Sequence, residues 1–213
     1  MHWQSSTINK NPLRDSVVHK LENSIINLEL KPGDRLKETE ISEILGVSRG
    51  PIREAFRELE GSGLIEFIPY KGAVVSNLSE NDIEELRMCR MIVEKLAANL
   101  LIKNSKTEEE ILNDFDSIIF DMTKAKDEKD LSRFLALDFK FHNVLVIHAN
   151  NNLLREMWKP ISSRLRRYFY LNSRQGYVSL DESLKQHIDI IEAIKQGDLE
   201  KTNELLQKHK CWS

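Results

Sequence analysis

Asp138 and His142 stand four residues apart in Leu137-Asp138-Phe139-Lys140-Phe141-His142. That spacing puts a carboxylate and an imidazole on one face of a helix, one turn from each other. His187, in Gln186-His187-Ile188-Asp189, and His209, 22 residues further on, fall in separate segments of helical character. A bundle that gathers these four offers one carboxylate and three imidazoles with coordination positions left over. Such a set suits zinc, nickel or another late first-row divalent cation. Six histidines in the chain also permit a plainer reading, with three of them exposed or hydrogen-bonded on separate helix faces, and spacing alone leaves both open. Because open coordination positions can activate water, a metal-dependent hydrolase is the competing function class, although no further acid or base is evidently placed to move a proton. A structural metal in a ligand-independent protein is a third reading.

A second constellation lies near the N-terminus. Ile52, Ala55, Phe56 and Leu59 share one helix face, while Arg49, Arg53 and Arg57 follow an i, i+4, i+8 stripe elsewhere on it. A helix packed by its apolar side, with guanidinium groups near its free N-terminal end, can enter a DNA major groove and meet phosphates or guanine edges. Ser48, just before it, can add a phosphate contact, and Lys71 can reach a neighbouring phosphate. The alternative is that Arg53 and Arg57 simply pair with Glu54, Glu58 and Glu60 on a solvated face.

The elements that must position these groups follow from composition and punctuation. With 213 residues, 40% hydrophobic and 31% charged, and only 8 Gly and 5 Pro, the chain reads as globular, mainly helical and divided into two units. Net charge is −3, and residues 1–76 carry 10 Lys/Arg against 11 Asp/Glu, so a DNA surface must come from sorting charges onto faces. Cys89 and Cys211 are too few for a disulfide framework. No leader pattern and no long apolar run is present, so a cytoplasmic protein without membrane association is expected.

Val17, Val18, Leu21, Ile25 and Leu28 recur at helical spacing, and Lys31-Pro32-Gly33-Asp34 stops that first helix. A second helix is expected from Glu38 to Leu45, burying Ile41, Ile44 and Leu45, with Gly46 after its end. Ser48 is placed to cap a third, with Pro51 in its first turn, reaching about Ser62. Runs 64–68 and 73–75, around Pro69-Tyr70-Lys71-Gly72, read as a hairpin wing. Ser79 to Asp82 resembles a capping box. The expected domains are 1–76, a winged helix-turn-helix, and 77–213, an all-α helical bundle with helices at about 80–104, 108–126, 130–149, 152–173, 180–196 and 198–210. Its breaks fall at Thr107, Asp127, Asn150 to Asn152, Gly176 and Gly197-Asp198.

Pro32-Gly33-Asp34-Arg35-Leu36, Leu45-Gly46-Val47-Ser48-Arg49, Pro51-Ile52-Arg53-Glu54-Ala55 and Gly63-Leu64-Ile65 closely resemble the winged-helix signature of the GntR family, over most of residues 13–76. The resemblance implies that Ser48, Arg49, Pro51 and Arg53 contact a double-stranded operator, with Gly72 in the wing turn and Arg35 near the DNA backbone. Residues 80–210 look like the FCD ligand-sensing domain of the FadR-type subfamily, through Asp138-x-x-x-His142, Ala149-Asn150-Asn151-Asn152-Leu153-Leu154, His187 and Gly197-Asp198 followed by His209. That resemblance implies a divalent ion on Asp138, His142, His187 and His209, zinc first with nickel and manganese as alternatives. It also implies an effector arginine at Arg90, and a small carboxylate effector taken by arginine and metal together. Arg164 is a second effector candidate, in a basic run with Arg166 and Arg167 that reads equally as solvated. The whole reads as a homodimeric, palindrome-binding regulator, with repression relieved by ligand the expected sign.

Overall fold

The computed structural model describes residues 12–103, 109–172 and 179–209, and the chain divides into two compact units, Met1–Asn77 and Leu78–Ser213. The breaks expected at Thr107 and Gly176, and Cys211, lie outside the described residues.

The first unit runs α1 (Pro12–Ile26), β1 (Arg35–Leu36), α2 (Glu38–Leu45), α3 (Arg49–Gly61), β2 (Ile65–Ile68) and β3 (Gly72–Val75). Val17, Val18, Leu21 and Ile25 of α1 meet Ile52, Ala55, Phe56 and Leu59 of α3 in one core, as their spacing predicts. Removing each large side chain from water contributes roughly 1.5–3 kcal/mol, which fixes α3 by one face and leaves its other face outward. α1 ends before the expected Leu28. That residue takes φ 63° and its amide bonds Ile25 O at 3.2 Å, turning the chain ahead of Pro32.

Gly46 closes α2 in the left-handed conformation, φ 64°, so the chain can turn into α3 within a few residues. Ile41 and Leu45 are half-buried, but Ile44 is 80% exposed, against expectation. Once Ile41 and Leu45 set the inner face of this short helix, Ile44 lies about 100° round from Leu45 and faces water.

The sheet has the order β1-β3-β2, antiparallel throughout. β1 was not foreseen. Its pairing is Arg35 with Val74 and Leu36 with Ala73, too short to leave an alternating pattern. The wing closes between Ile68 and Gly72. Lys71 N bonds Ile68 O at 3.1 Å, and Tyr70 has φ 63° behind Pro69, the arrangement of a type II turn.

The second unit is helical: α4 (Glu80–Lys103), α5 (Glu109–Asp127), α6 (Leu131–His148), α7 (Asn152–Asn172), α8 (Leu180–Lys195) and α9 (Leu199–Lys208). Start signals do their expected work. Ser79 and Asp82 cap α4 reciprocally, with Ser79 N donating to Asp82 Oδ2 at 2.8 Å and Asp82 N to Ser79 Oγ at 3.2 Å. Asp130, Ser179 and Asp198 accept the first free amides of α6, α8 and α9. Phe115, Phe134, Phe141, Leu145, Ile190 and Ile194 centre the main core. Ile83, Leu86, Leu135, Phe139, Leu165 and Phe169 form a second cluster. Asn150 takes φ 52° after α6, a conformation Asn tolerates better than most residues. Among the described residues, no helix is long and apolar enough to cross a membrane.

Candidate metal centre and DNA-reading surface

In the helical unit, one ligand atom from each of Asp138, His142, His187 and His209 lies within 4.8 Å of the others. α6 supplies Asp138 and His142 one turn apart, α8 supplies His187, and His209 stands just past the end of α9 rather than within it. The first three are fully buried and His209 partly so.

The three Nε2 atoms face one another. His142 Nε2 is 3.2 Å from His187 Nε2 and 3.1 Å from His209 Nε2. Behind each ring stands an acceptor. His187 Nδ1 lies 2.7 Å from Ser183 O, and His209 Nδ1 lies 2.8 Å from Gln186 Oε1. His142 Nδ1 lies 2.9 Å from Glu94 Oε1, at ion-pair distance although off the line of an ideal hydrogen bond. For His187 and His209 these acceptors favour the proton on Nδ1, which turns an Nε2 lone pair toward His142 Nε2. Asp138 Oδ1 is 3.1 Å from His187 Nε2, at ion-pair distance.

Protonation agrees with this arrangement. Burial, then the charge of Arg90, holds His142 well below its ordinary value of 6.5. Burial, then His187 and His142, does the same to His209. For Asp138, burial works to raise the value, but His187, His142 and Arg90 outweigh it and the net shift is downward. A divalent cation requires bare imidazole nitrogens and an ionised carboxylate, and the shifts of His142, His209 and Asp138 run in that direction. The residues therefore fit a metal.

Arg90, on α4, is buried and donates from Nε to Glu94 Oε1 at 2.8 Å. Glu94, 2% exposed, was missed by the sequence reading, since Arg-x-x-x-Glu looks like any surface i, i+4 pair. Arg164 and Arg166 are half-buried, whereas Arg167 is fully enclosed. That corrects the reading of the run as solvated. Burial, with Arg164 nearby, pushes the Arg167 guanidinium down to about 10.

In the first unit Arg49, Arg53 and Arg57 are exposed on α3. Arg53 pairs across to α2, with Nε 2.7 Å from Glu38 Oε2, and not with Glu54, Glu58 or Glu60. Ser48 occupies the N-cap position without making a side-chain cap bond, contrary to expectation, and is exposed. Pro51 lies in the first turn of α3, half-buried. Arg35 and Lys71 are exposed, and Gly72 opens β3 with φ 82°.

The description "Bacterial regulatory proteins, gntR family" matches residues 13–75, and the FCD domain matches residues 85–210. The chain belongs to the GntR family. A probable D-xylose utilization operon transcriptional repressor of Paenarthrobacter nicotinovorans is 30% identical over 198 residues, covering 92% of this chain and 83% of that protein. An HTH-type transcriptional regulator of Bacillus subtilis (strain 168) is 29% identical over 90% of this chain and 84% of its own length. Among solved structures, E. coli McbR/YncC superposes with a TM-score of 0.80 at 21% identity, over 92% of each chain. A GntR regulator from Rhodococcus sp. RHA1 gives 0.76 at 24% identity, over 93% of this chain and 94% of its own. These two share the fold. As a GntR member with an FCD domain, the protein is a DNA-binding transcriptional regulator, and the hydrolase alternative is discarded because the family and the named relatives are regulators.

Proposed function

We propose that this GntR regulator is a homodimeric repressor that binds a short palindromic operator and is released by a small organic acid held beside a divalent ion, zinc first. The convergence of Asp138, His142, His187 and His209 carries the proposal, with the buried Arg90 at their edge. A bound cation supplies a positive centre for one carboxylate oxygen, and Arg90 contributes donors for another. Arg164 is the weaker effector candidate. A gluconate operon transcriptional repressor of Bacillus licheniformis, 27% identical over 85% of this chain and 75% of that protein, lends support to an acid as the effector.

On the DNA side, Arg49, Arg53, Ser48 and Pro51 at the start of α3 are assigned to the major groove. Arg35 is assigned to the backbone, and Lys71 with Gly72 to the wing contact. The dimer draws support from Met88, Ile92 and Leu96, exposed apolar residues at i, i+4, i+8 on α4, a stripe suited to a second copy of the same helix.

Two measurements test this. Metal content by mass spectrometry should give close to one ion per chain in the wild type and none in His142→Ala. Selection of binding sites from random DNA should return a sequence with two related half-sites. An unpaired site would overturn the dimeric reading, and no retained metal after supplementation would overturn the metal pocket.

A further inference from the structure

We infer that Glu94 is a positioning residue of the metal centre, linking Arg90 to His142 and setting how tightly the four-residue cluster holds a divalent cation. This rests on the metal reading proposed above. One oxygen is shared: Glu94 Oε1 is 2.8 Å from Arg90 Nε and 2.9 Å from His142 Nδ1. All three side chains are buried, so the charges of Glu94 and Arg90 act on each other and on the His142 ring with little screening.

The backing of the three imidazoles is unequal. His187 is backed by a backbone carbonyl and His209 by a neutral amide oxygen, while His142 alone has a carboxylate behind it. A carboxylate at that distance favours the Nδ1–H tautomer and makes Nε2 a stronger donor to a metal. Arg90 works in the opposite direction. It draws on the same oxygen, and its positive charge reaches Asp138, His142 and His209.

Two substitutions should therefore move metal affinity with opposite signs. Glu94→Gln keeps the size and a carbonyl acceptor but removes the charge, and zinc affinity should fall about tenfold, the low end of what loss of such a partner costs. Arg90→Met removes the competing donor and the positive charge, and zinc affinity should rise severalfold. A role confined to packing gives both changes the same sign.

The experiment uses the full chain stripped with chelator and titrated with zinc alone against a chromophoric chelator. Co²⁺ is used in parallel, so that its ligand-field absorption reports on the cluster. Weaker binding and a displaced Co²⁺ band in Glu94→Gln, with metal-free melting close to wild type, and tighter binding in Arg90→Met, are the expected results. Wild-type affinity and an unchanged Co²⁺ spectrum in Glu94→Gln overturn the role of Glu94, as does weakening of both variants. If Arg90→Met does not fold, Glu94→Gln and its spectrum decide alone. A wild-type chain that binds neither ion instead overturns the metal reading itself, a distinguishable failure.

Discussion

Acidifying the metal-free protein should weaken its helical unit within a definable window. Burial, followed by Arg90, depresses His142, and burial, followed by His187 and His142, depresses His209, whereas in the unfolded chain both titrate near 6.5. Below that value the unfolded chain binds protons that the folded chain refuses. The stabilisation is thus complete above about 6.5 and is lost as pH falls toward the depressed folded values. At pH 5.5 two such groups cost at most about 2.8 kcal/mol. For a unit of this size, at roughly 3 °C per kcal/mol, the melting temperature should drop by about 8 °C between pH 7.5 and 5.5. Scanning calorimetry in chelator at pH 7.5, 6.5 and 5.5 measures it, and His209→Gln should remove close to half the slope. Saturating zinc should raise the curve, by about 4 kcal/mol at a thousandfold excess over Kd, and steepen its acid limb because protons compete for the ligand atoms. A melting temperature flat from pH 7.5 to 5.5 without metal, or a slope unaltered in His209→Gln, refutes the buried neutral imidazoles.

Arg53→Ala should weaken specific DNA binding by roughly 1–3 kcal/mol while the exposed pair with Glu38 costs under about 1 kcal/mol of stability. Equal operator affinity in a fluorescence anisotropy titration removes Arg53 from the reading surface. Phe56, buried against α1 and the sheet, should cost about 3–5 kcal/mol on truncation to Ala, abolishing DNA binding while the helical unit still takes up metal. Retained operator binding in Phe56→Ala contradicts that dependence. Ile92→Asp, in the exposed stripe of α4, should convert the proposed dimer to a monomer in sedimentation velocity, and an unchanged sedimentation coefficient removes the stripe from the proposed interface.

The fold was legible where periodicity and punctuation agree. The apolar face of α3, the Ser79–Asp82 cap and the Gly46 turn each follow from local spacing, and local spacing decides them. The mainly helical class and the family relationship were likewise readable. β1 escaped because two residues cannot display a period, and Ile44 was misassigned because a short helix has room for only one inward face. For the site, Asp138 and His142 announce themselves by being one turn apart on a single helix. His187 and His209 have no such local signal: they were candidates only as histidines in helical segments, and resemblance strengthened the grouping, since only tertiary packing brings α8 and the end of α9 to α6. Glu94 and Arg167 were invisible for a related reason: a charged residue is read as exposed until the neighbouring helices are known to enclose it.

α9 is only ten residues long, shorter than a helix that holds its shape alone in water. Its ties to the bundle include Asn203 to Asn99 at 3.1 Å, Lys95 to Gln207 at 3.0 Å, the buried Thr202 and Leu206, and His209 on Gln186 at 2.8 Å. One of those ties is also a proposed metal ligand, placed at the very end of the lever. The segment should be the earliest part of the bundle to open and exchange its amide hydrogens. Its protection should rise more than that of α5 or α6 when an ion engages His209, so that the last turn of α9 acts as a hasp fastened by the ion it helps to hold.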